Sequence, residues 1–550
     1  MGPRSFNLLA AVLVPVTSFV HFVHSQGYPL LAPEILIPLL GVAVAGMLAG
    51  LIINLRPRAL GPIVIAALIT WFIDVNVLVN ARPWFPLVAF TFMAVVGTLA
   101  VFGLGLHLSR LASVIFGTVL LSTLALPGGT STTPTPGSSA APDRPDLPVV
   151  VHLILDEHVG FAGIPDDAED GQGLRNRLEA FYGRHNFYTF RRAFSQYFET
   201  RYAVSHALNF AETFDATLIR KGSDGFLWRL SRNAYVEYMR QRGYRLQVYQ
   251  PEFMSLCPEI PAAGERCYTY TALSLKVLER TALPTPAKLR ITVSAYLFSS
   301  TLYKKSRAHY QAFRGGRFGR YLALPEWNWE RSRAYTIAAL SAFDRIREDL
   351  SQARPGDLFL AHLLIPHAPY VYNASCALQM DPGEWLDRGL PEGAAEAHNS
   401  AQSRAVRYGL YVKQVECVTR KVDEILTALR ERGVLDRAIV LVHGDHGSRI
   451  TRAEPFVSNR DKMTAADFTD SFSTLFAVRA PGVKAGLDDH PWSLVELMRH
   501  FVTEDFRGTP VRRPGQPMAD VYMWKDGTDS YQPMQPQMVW WSGRGDVSQR

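Results

Sequence analysis

Acidic and histidine side chains follow apolar runs at two distant points of this chain. Asp445 and His446 come directly after the run 438–442, and Asp156 and Glu157 come after an earlier run. Such runs are typical of buried parallel strands, whose carboxyl ends meet at one edge of an open α/β sheet. Carboxylates and an imidazole brought together at that edge can bind a divalent metal ion. For Asp445 and His446 alone, a polar loop after a core strand is an equally good interpretation.

A threonine and two further histidines stand at comparable places in the sequence. Thr200 lies where strand-like residues give way to helix-like ones, so it is either a helix cap or a nucleophile assisted by the helix dipole. A metal ion on its hydroxyl would lower the hydroxyl pKa and allow attack on phosphorus or sulfur. His362 and His367 close another strand-like run around a proline turn. A histidine there is suited to protonate a leaving oxygen near neutral pH.

The elements that must position these residues are predicted from apolar periodicity. From residue 149 onward, helix-like stretches alternate with strand-like runs, which predicts an α/β domain with a mainly parallel sheet sandwiched by helices. The repeating units are 233–242 with 243–249, 333–350 with 358–364, and 405–432 with 438–442. The predicted divisions are a flexible linker at 127–148, rich in Gly, Ser, Thr and Pro, the catalytic domain at 149–512 and a C-terminal tail at 513–550.

Residues 1–126 are nearly all apolar and predict a five-helix transmembrane bundle. The predicted spans are 6–23, 35–55, 63–79, 87–106 and 111–126. Four arginines fall on one side of these spans, which predicts that this side is cytoplasmic: Arg4, Arg56, Arg58 and Arg110. An odd number of spans then places the catalytic domain outside the cytoplasm, on an integral protein of the plasma or inner membrane. Asp74, in the third span, is expected near the outer interface and receives no chemical role.

Charge and cysteine usage agree with a membrane-bound, extracytoplasmic protein. The net charge is +7 with both signs well mixed, which weakly favours anionic lipid headgroups and argues against nucleic acid as a partner. The four cysteines form two pairs along the chain: Cys257 with Cys267, and Cys376 with Cys417. Two disulfides in an oxidising compartment are the favoured interpretation, with four free thiols as the alternative.

The order of these motifs resembles the alkaline phosphatase/sulfatase superfamily, particularly its membrane-anchored branch of lipoteichoic acid synthases and lipid A phosphoethanolamine transferases. The resemblance is carried by Leu155-Asp156-Glu157, the helix-leading Thr200, Pro366-His367-Ala368-Pro369, Gly444-Asp445-His446-Gly447 and the five preceding spans. The Cys/Ser-x-Pro-x-Arg motif of the superfamily's sulfatases is replaced by Thr200-Arg201-Tyr202-Ala203-Val204. Sulfate-ester hydrolysis through formylglycine is therefore not expected.

The resemblance implies a role for each motif. Asp156, Glu157, Thr200, Asp445 and His446 would surround a divalent metal, and Thr200 would be the nucleophile. His362 and His367 would contact the transferred or leaving group, and Arg201 and Arg449 are candidates for contact with an oxyanion. The imidazole of His446 disfavours calcium, so zinc is preferred, with manganese or magnesium as alternatives.

The leading functional prediction is a membrane-bound, metal-dependent transferase. It would move a phosphoethanolamine- or phosphoglycerol-type substituent from a membrane lipid donor to a cell-envelope glycan or lipid through a covalent threonine intermediate. One alternative is a sulfatase-like phosphate or sulfate ester hydrolase, and a second is a non-catalytic scaffold for envelope polysaccharide assembly. The segment 214–330 matches no motif, and its apolar run 291–302 is predicted to be core, with a position on the membrane surface as the alternative.

Overall fold

The structure is a computed structural model. It describes residues 3–55, 60–77, 105–126, 144–166, 168–222, 226–259, 261–270, 275–279, 281–316, 319, 322, 335–381, 401–526, 528 and 530–536. The helices are α1 Pro3–Ser25, α2 Pro33–Leu55, α3 Leu60–Asn76, α4 Gly105–Ala125, α5 Gly171–Arg184, α6 Thr200–Asn209, α7 Ala234–Gln241, α8 Thr285–Ser299, α9 Thr301–Gly315, α10 Tyr335–Leu350, α11 Ala401–Glu431, α12 Ala465–Phe472 and α13 Leu494–Thr503. The strands are β1 Val150–Leu155, β2 Tyr188–Phe194, β3 Ile219–Lys221, β4 Trp228–Leu230, β5 Arg245–Pro251, β6 Met254–Ser255, β7 Arg266–Tyr270, β8 Asp357–Leu363, β9 Ile439–Gly444, β10 Phe476–Arg479, β11 Gly486–Ser493, β12 Val521–Trp524 and β13 Tyr531–Met534.

The chain divides into two compact units. The helical unit comprises the described residues within Met1–Ser131, Ser274–Ala334 and Met380–Gly393. The α/β unit comprises those within Thr132–Leu273, Tyr335–Gln379 and Ala394–Arg550. The helical unit therefore takes up two ranges that the sequence predicted as part of the catalytic domain. The predicted boundaries at 126, 148 and 512 remain predictions.

Apolar helices from the start of the chain build most of the helical unit. Three of them are long and apolar enough to cross a membrane, namely Arg4–Ser25, Pro33–Leu55 and His107–Ala125, and Gly61–Asn76 is a shorter apolar helix. Four of the predicted spans coincide with these helices. The predicted span 87–106 lies outside the described residues except at its last two positions, so the five-helix bundle stays a prediction. The run 291–302 is not in the core of the α/β unit, because α8 packs against α2 and α3.

A mostly parallel sheet forms the centre of the α/β unit, as the sequence predicted. Its strand order is β11-β2-β10-β9-β1-β8-β5-β7. The five neighbouring strands β9, β1, β8, β5 and β7 run parallel to one another, whereas β10 is antiparallel to both β9 and β2. Every residue of β1, β8 and β9 is buried, which explains their nearly continuous apolar sequences. Side chains of α6, α7, α12 and α13 join the sheet in one hydrophobic core.

Two disulfides are present, which confirms the predicted pairing of the four cysteines. Cys257 bonds to Cys267 on β7, and Cys376 bonds to Cys417 on α11. The second bond links the loop that follows β8 to a long helix of the α/β unit. Within the described part of the predicted tail, β12 and β13 form an antiparallel hairpin.

Candidate metal and nucleophile site

The strand register brings the predicted site residues to one edge of the sheet. Leu155, the last residue of β1, pairs with Leu363 of β8 on one side and with Gly444 of β9 on the other. The three loops that follow these strands therefore begin side by side at the same edge of the sheet. Asp156 is fixed further, because its N–H donates to the carbonyl of Leu363 at 2.9 Å.

Asp156, Asp445 and His446 form a buried cluster whose donor atoms lie within 4.8 Å of one another. His446 Nε2 is 3.3 Å from Asp445 Oδ2 and 3.8 Å from Asp156 Oδ1. His446 Nδ1 lies 2.9 Å from the carbonyl of Gly447. Because a carbonyl only accepts, Nδ1 carries the proton, and the lone pair of Nε2 faces the two carboxylates.

The cluster fits a divalent metal ion. Asp445 Oδ1 accepts the N–H groups of Glu157 and His446, each at 2.9 Å, while the buried Oδ2 has no hydrogen-bond partner among the described residues. Burial, and then the neighbouring Asp445, raise the pKa of Asp156 to about 7. Two buried carboxylates in contact are costly unless a cation compensates them. An imidazole beside two carboxylates is a donor set that suits zinc or manganese better than calcium.

The hydroxyl of Thr200 points into this cluster. Thr200 is buried and is the first residue of α6, and its Oγ1 lies 3.1 Å from His446 Nε2 and 3.4 Å from Asp156 Oδ1. The three nearby hydroxyl residues are engaged elsewhere: Thr189 donates to Gly486, Ser195 accepts from the N–H of Tyr197, and Ser205 donates to Tyr202. Among these four hydroxyls, the structure brings Thr200 to the cluster.

The two adjacent acids after β1 have separate partners. Glu157 binds the guanidinium of Arg449, with Nε at 2.7 Å from Oε1, and lies 3.3 Å from His367 Nε2. Burial alone would raise the pKa of Glu157, but Arg449 and His367 outweigh it and lower that pKa below its ordinary value. Glu157, Asp156 and His367 form a second group with metal-binding spacing, in which Arg449 already supplies a positive charge. The predicted ligand that faces Asp445 and His446 is therefore Asp156.

His362 and Arg201 have different surroundings. His362 is fully buried with Nε2 at 3.7 Å from Asp156 Oδ2, and burial lowers its pKa to about 4, so the ring is neutral. Neither of its ring nitrogens has a hydrogen-bond partner among the described residues. Arg201 donates to Glu199 at 3.0 Å and stacks on the rings of Tyr202 and Trp228. These contacts of Arg201 are with residues outside the metal cluster.

Helix α11 holds the site loops through residues that the sequence did not single out. Tyr411 OH donates to the carbonyl of Glu157 at 2.7 Å and accepts the N–H of Val159 at 2.9 Å. Gln414, three residues further along the helix, donates to the carbonyl of His367 at 3.0 Å. Tyr408, on the same helical face, contacts Ser448 between His446 and Arg449. All three loops of the site are therefore bound to one helix.

Comparison with known proteins gives distant structural similarities. No family model and no curated protein matches the chain. The C-terminal periplasmic domain of EcEptC from Escherichia coli, in complex with Zn, is 14% identical with a TM-score of 0.39 and covers 72% of this chain and 93% of that one. A Bacteroides thetaiotaomicron protein of glycosaminoglycan metabolism is 15% identical with a TM-score of 0.39 and coverages of 70% and 83%. Phosphonate monoester hydrolase SpPMH from Silicibacter pomeroyi is 14% identical with a TM-score of 0.36 and coverages of 65% and 73%.

The similar structures also include one described as a putative sulfatase, yidJ from Bacteroides fragilis, which is 15% identical with a TM-score of 0.35 and coverages of 67% and 75%. Because these similarities are distant, the function proposed below depends on the geometry of the site.

Proposed function

We propose that this chain is a membrane-bound, metal-dependent transferase that moves a phospho-substituent through a covalent ester on Thr200. The donor would be a membrane phospholipid carrying phosphoethanolamine or phosphoglycerol, and the acceptor a glycan or lipid of the cell envelope. The observation that carries this proposal is the Thr200 hydroxyl, 3.1 Å from His446 Nε2 and 3.4 Å from Asp156 Oδ1 at the start of a helix. The apolar N-terminal helices would keep the site close to lipid donors.

Asp156, Asp445 and His446 would hold the metal ion, with Thr200 Oγ1 as a further ligand. We prefer zinc because one donor is an imidazole, with manganese or magnesium as alternatives. Bound there, a divalent ion supplies positive charge that lowers the pKa of the Thr200 hydroxyl and offsets charge on the phosphate.

In the first step, the Thr200 hydroxyl would give its proton to Asp156, whose Oδ1 lies 3.4 Å away, and its oxygen would attack phosphorus while the bond between phosphorus and the oxygen of the lipid alcohol breaks. The N–H groups at the start of α6 and the guanidinium of Arg449 would stabilise the developing negative charge. His367, whose Nε2 lies 3.3 Å from Glu157 beside the site, would give a proton to the departing oxygen. In the second step, the acceptor hydroxyl would give its proton to His367 and attack phosphorus, and Thr200 Oγ1 would depart and regain its proton from Asp156.

Mass spectrometry of the intact protein and its peptides tests the proposal. Full-length protein in detergent is incubated with phosphatidylethanolamine or with phosphatidylglycerol, and the adduct mass identifies the transferred group. We expect the adduct on Thr200, its loss in Thr200→Ala and its retention in the matched Ser205→Ala variant. An adduct on Ser205 would overturn the assignment of the nucleophile. Release of the free phospho-alcohol into water, with no transfer to added glycan or lipid acceptors, would favour the hydrolase.

A further inference from the structure

Two consecutive helices inserted between β7 and β8 pack against the apolar helices of the helical unit. The contact centres on Tyr296 of α8, whose hydroxyl donates to Ser18 Oγ and accepts from Trp71 Nε1, both at 2.9 Å. Phe19 and Phe22 of α1 meet the same ring edge-on. Ser18 and Trp71 lie in the last third of α1 and α3, so α8 covers one end of these helices.

The carboxylate of Asp74 fixes the start of α9. It is fully buried near the end of α3, and it accepts the hydroxyl of Ser300 at 2.5 Å and the N–H groups of Thr301 and Leu302 at 3.1 and 3.0 Å. These N–H groups have no partner within the helix, and a negative charge beside them interacts favourably with the positive end of the helix dipole. A carboxylate in an apolar helix is expensive unless it is satisfied in this way. Asp74 therefore holds α9 at the level where α3 ends, two residues later at Asn76.

The two inserted helices are basic. Neither contains an aspartate or glutamate, and their basic residues are Lys288, Arg290, Lys304, Lys305, Arg307 and Arg314. On α9 the exposed residues at positions 304, 305, 308, 309, 312 and 313 share one face, because they are spaced by one and four along the helix. This face carries Lys304 and Lys305 together with Phe313, whose exposed fraction is 53%. The opposite face carries the buried Tyr303 and Arg307.

We propose that the exposed face of α9 binds anionic phospholipid headgroups in the leaflet where α3 ends. Cationic side chains beside an aromatic ring are typical of helices that lie in the interface between headgroups and acyl chains. The charge is complementary to phosphate, and the helix is held at the membrane surface by Asp74. Each lysine near an anionic surface contributes an approximately fivefold preference, so two lysines together give a preference of roughly 25-fold. This surface does not depend on the phosphotransfer proposed for Thr200.

A fluorescent label on this face tests the inference in the full-length protein. Because the four native cysteines are paired in disulfides, Ala312→Cys provides a single reactive thiol for an environment-sensitive dye. The labelled protein is placed in nanodiscs of phosphatidylcholine alone or of phosphatidylcholine mixed with phosphatidylglycerol. We expect nitroxide-labelled lipids to quench the dye more strongly in discs with phosphatidylglycerol, and added salt to reduce the difference.

Charge variants identify the groups responsible. The double variant Lys304→Glu with Lys305→Glu should remove the response to phosphatidylglycerol, and Lys462→Glu, at an exposed lysine of the α/β unit, should retain it. The neutral pair Lys304→Gln with Lys305→Gln decides the question if charge reversal impairs folding. Equal quenching by labelled lipid in both kinds of disc would show that the face does not prefer anionic headgroups, and quenching only by an aqueous ion would show a solvated face; either result would overturn the inference. Shielding of the dye that requires another protein would overturn it as well.

The adduct on Thr200 is measured in a separate experiment. Failure of the lipid-binding inference would therefore leave the proposed phosphotransfer untouched, and the reverse also holds.

Discussion

Gln414 of α11 binds the loop that carries His367, and we predict that Gln414→Leu loosens this loop. The side-chain amide donates to the carbonyls of Pro366 and His367 at 3.0 Å and to that of Pro369 at 3.3 Å. Its oxygen accepts the N–H of Val371 at 2.8 Å. Leucine has a similar volume and no polar atom, so the substitution removes these hydrogen bonds without leaving a large cavity.

The magnitude follows from the three shortest of these hydrogen bonds. A buried backbone group left without a partner costs about 1–3 kcal/mol, which gives an upper bound of ~9 kcal/mol for three groups. The side chain of His367 is 17% exposed, so the loop can relax toward water, and we expect a net loss of about 2–4 kcal/mol in local stability. A shift of His367 by about 1 Å would lower turnover roughly 10- to 100-fold. The metal content should not change, because the cluster of Asp156, Asp445 and His446 lies on other loops.

The assay compares metal content and turnover in the same preparation. Bound metal in the full-length protein in detergent is measured by inductively coupled plasma mass spectrometry. Turnover is measured with a chromogenic phosphodiester. Gln172→Leu, at an exposed glutamine of α5, is the matched control and should behave as the parent protein. Unchanged turnover in Gln414→Leu would refute the positioning role. Loss of metal together with turnover would refute the independence of the loop from the metal cluster.

Three further predictions concern protonation and the contacts around the nucleophile. Metal affinity should weaken about tenfold per pH unit below about pH 7 in equilibrium dialysis, because protons compete for Asp156, whose pKa is raised to about 7; equal affinity at about pH 6 and about pH 8 would contradict this. Tyr531 donates to Glu199, the neighbour of Thr200, so Tyr531→Phe should lower kcat about 3- to 10-fold with little change in KM. Arg449→Lys keeps the charge but not the planar fork, so turnover should fall while metal content is retained, as elemental analysis with kinetics can check.

The central strands, and the meeting of Asp156, Asp445 and His446 at their ends, could be predicted from local sequence. The apolar runs 149–155 and 358–364 correspond to Val150–Leu155 and Asp357–Leu363 within one residue at each end. These strands are buried on both faces, so nearly every residue is apolar. The strands can therefore be recognised in the sequence without knowing which strands pair with them. The antiparallel β10 was not predicted, because its four residues become a strand only by pairing between β2 and β9.

The different roles of neighbouring residues could not be predicted from the sequence. Asp156 and Glu157 are equivalent in the sequence, but Glu157 has a left-handed backbone with φ 63°, which turns its side chain toward Arg449, itself at φ 54°. Gln414 and Tyr411 are ordinary residues of a long helix by their types and spacing. Their partners are loops that lie dozens or hundreds of residues away in the chain, so only the folded chain reveals what they hold.

Asp74 and Asp445 are both fully buried, yet the structure satisfies them in different ways. Asp74 receives one hydroxyl and two N–H donors shared between both of its oxygens, so neutral groups stabilise its charge. Asp445 receives two N–H donors on Oδ1, while Oδ2 faces the lone pair of His446 Nε2 and has no donor among the described residues. A carboxylate oxygen and an imidazole lone pair that face each other are both acceptors, and a cation between them satisfies both. The hydrogen bonds thus give the acid in the apolar helix a structural role, and they support the proposed metal ion beside the acid at the end of β9.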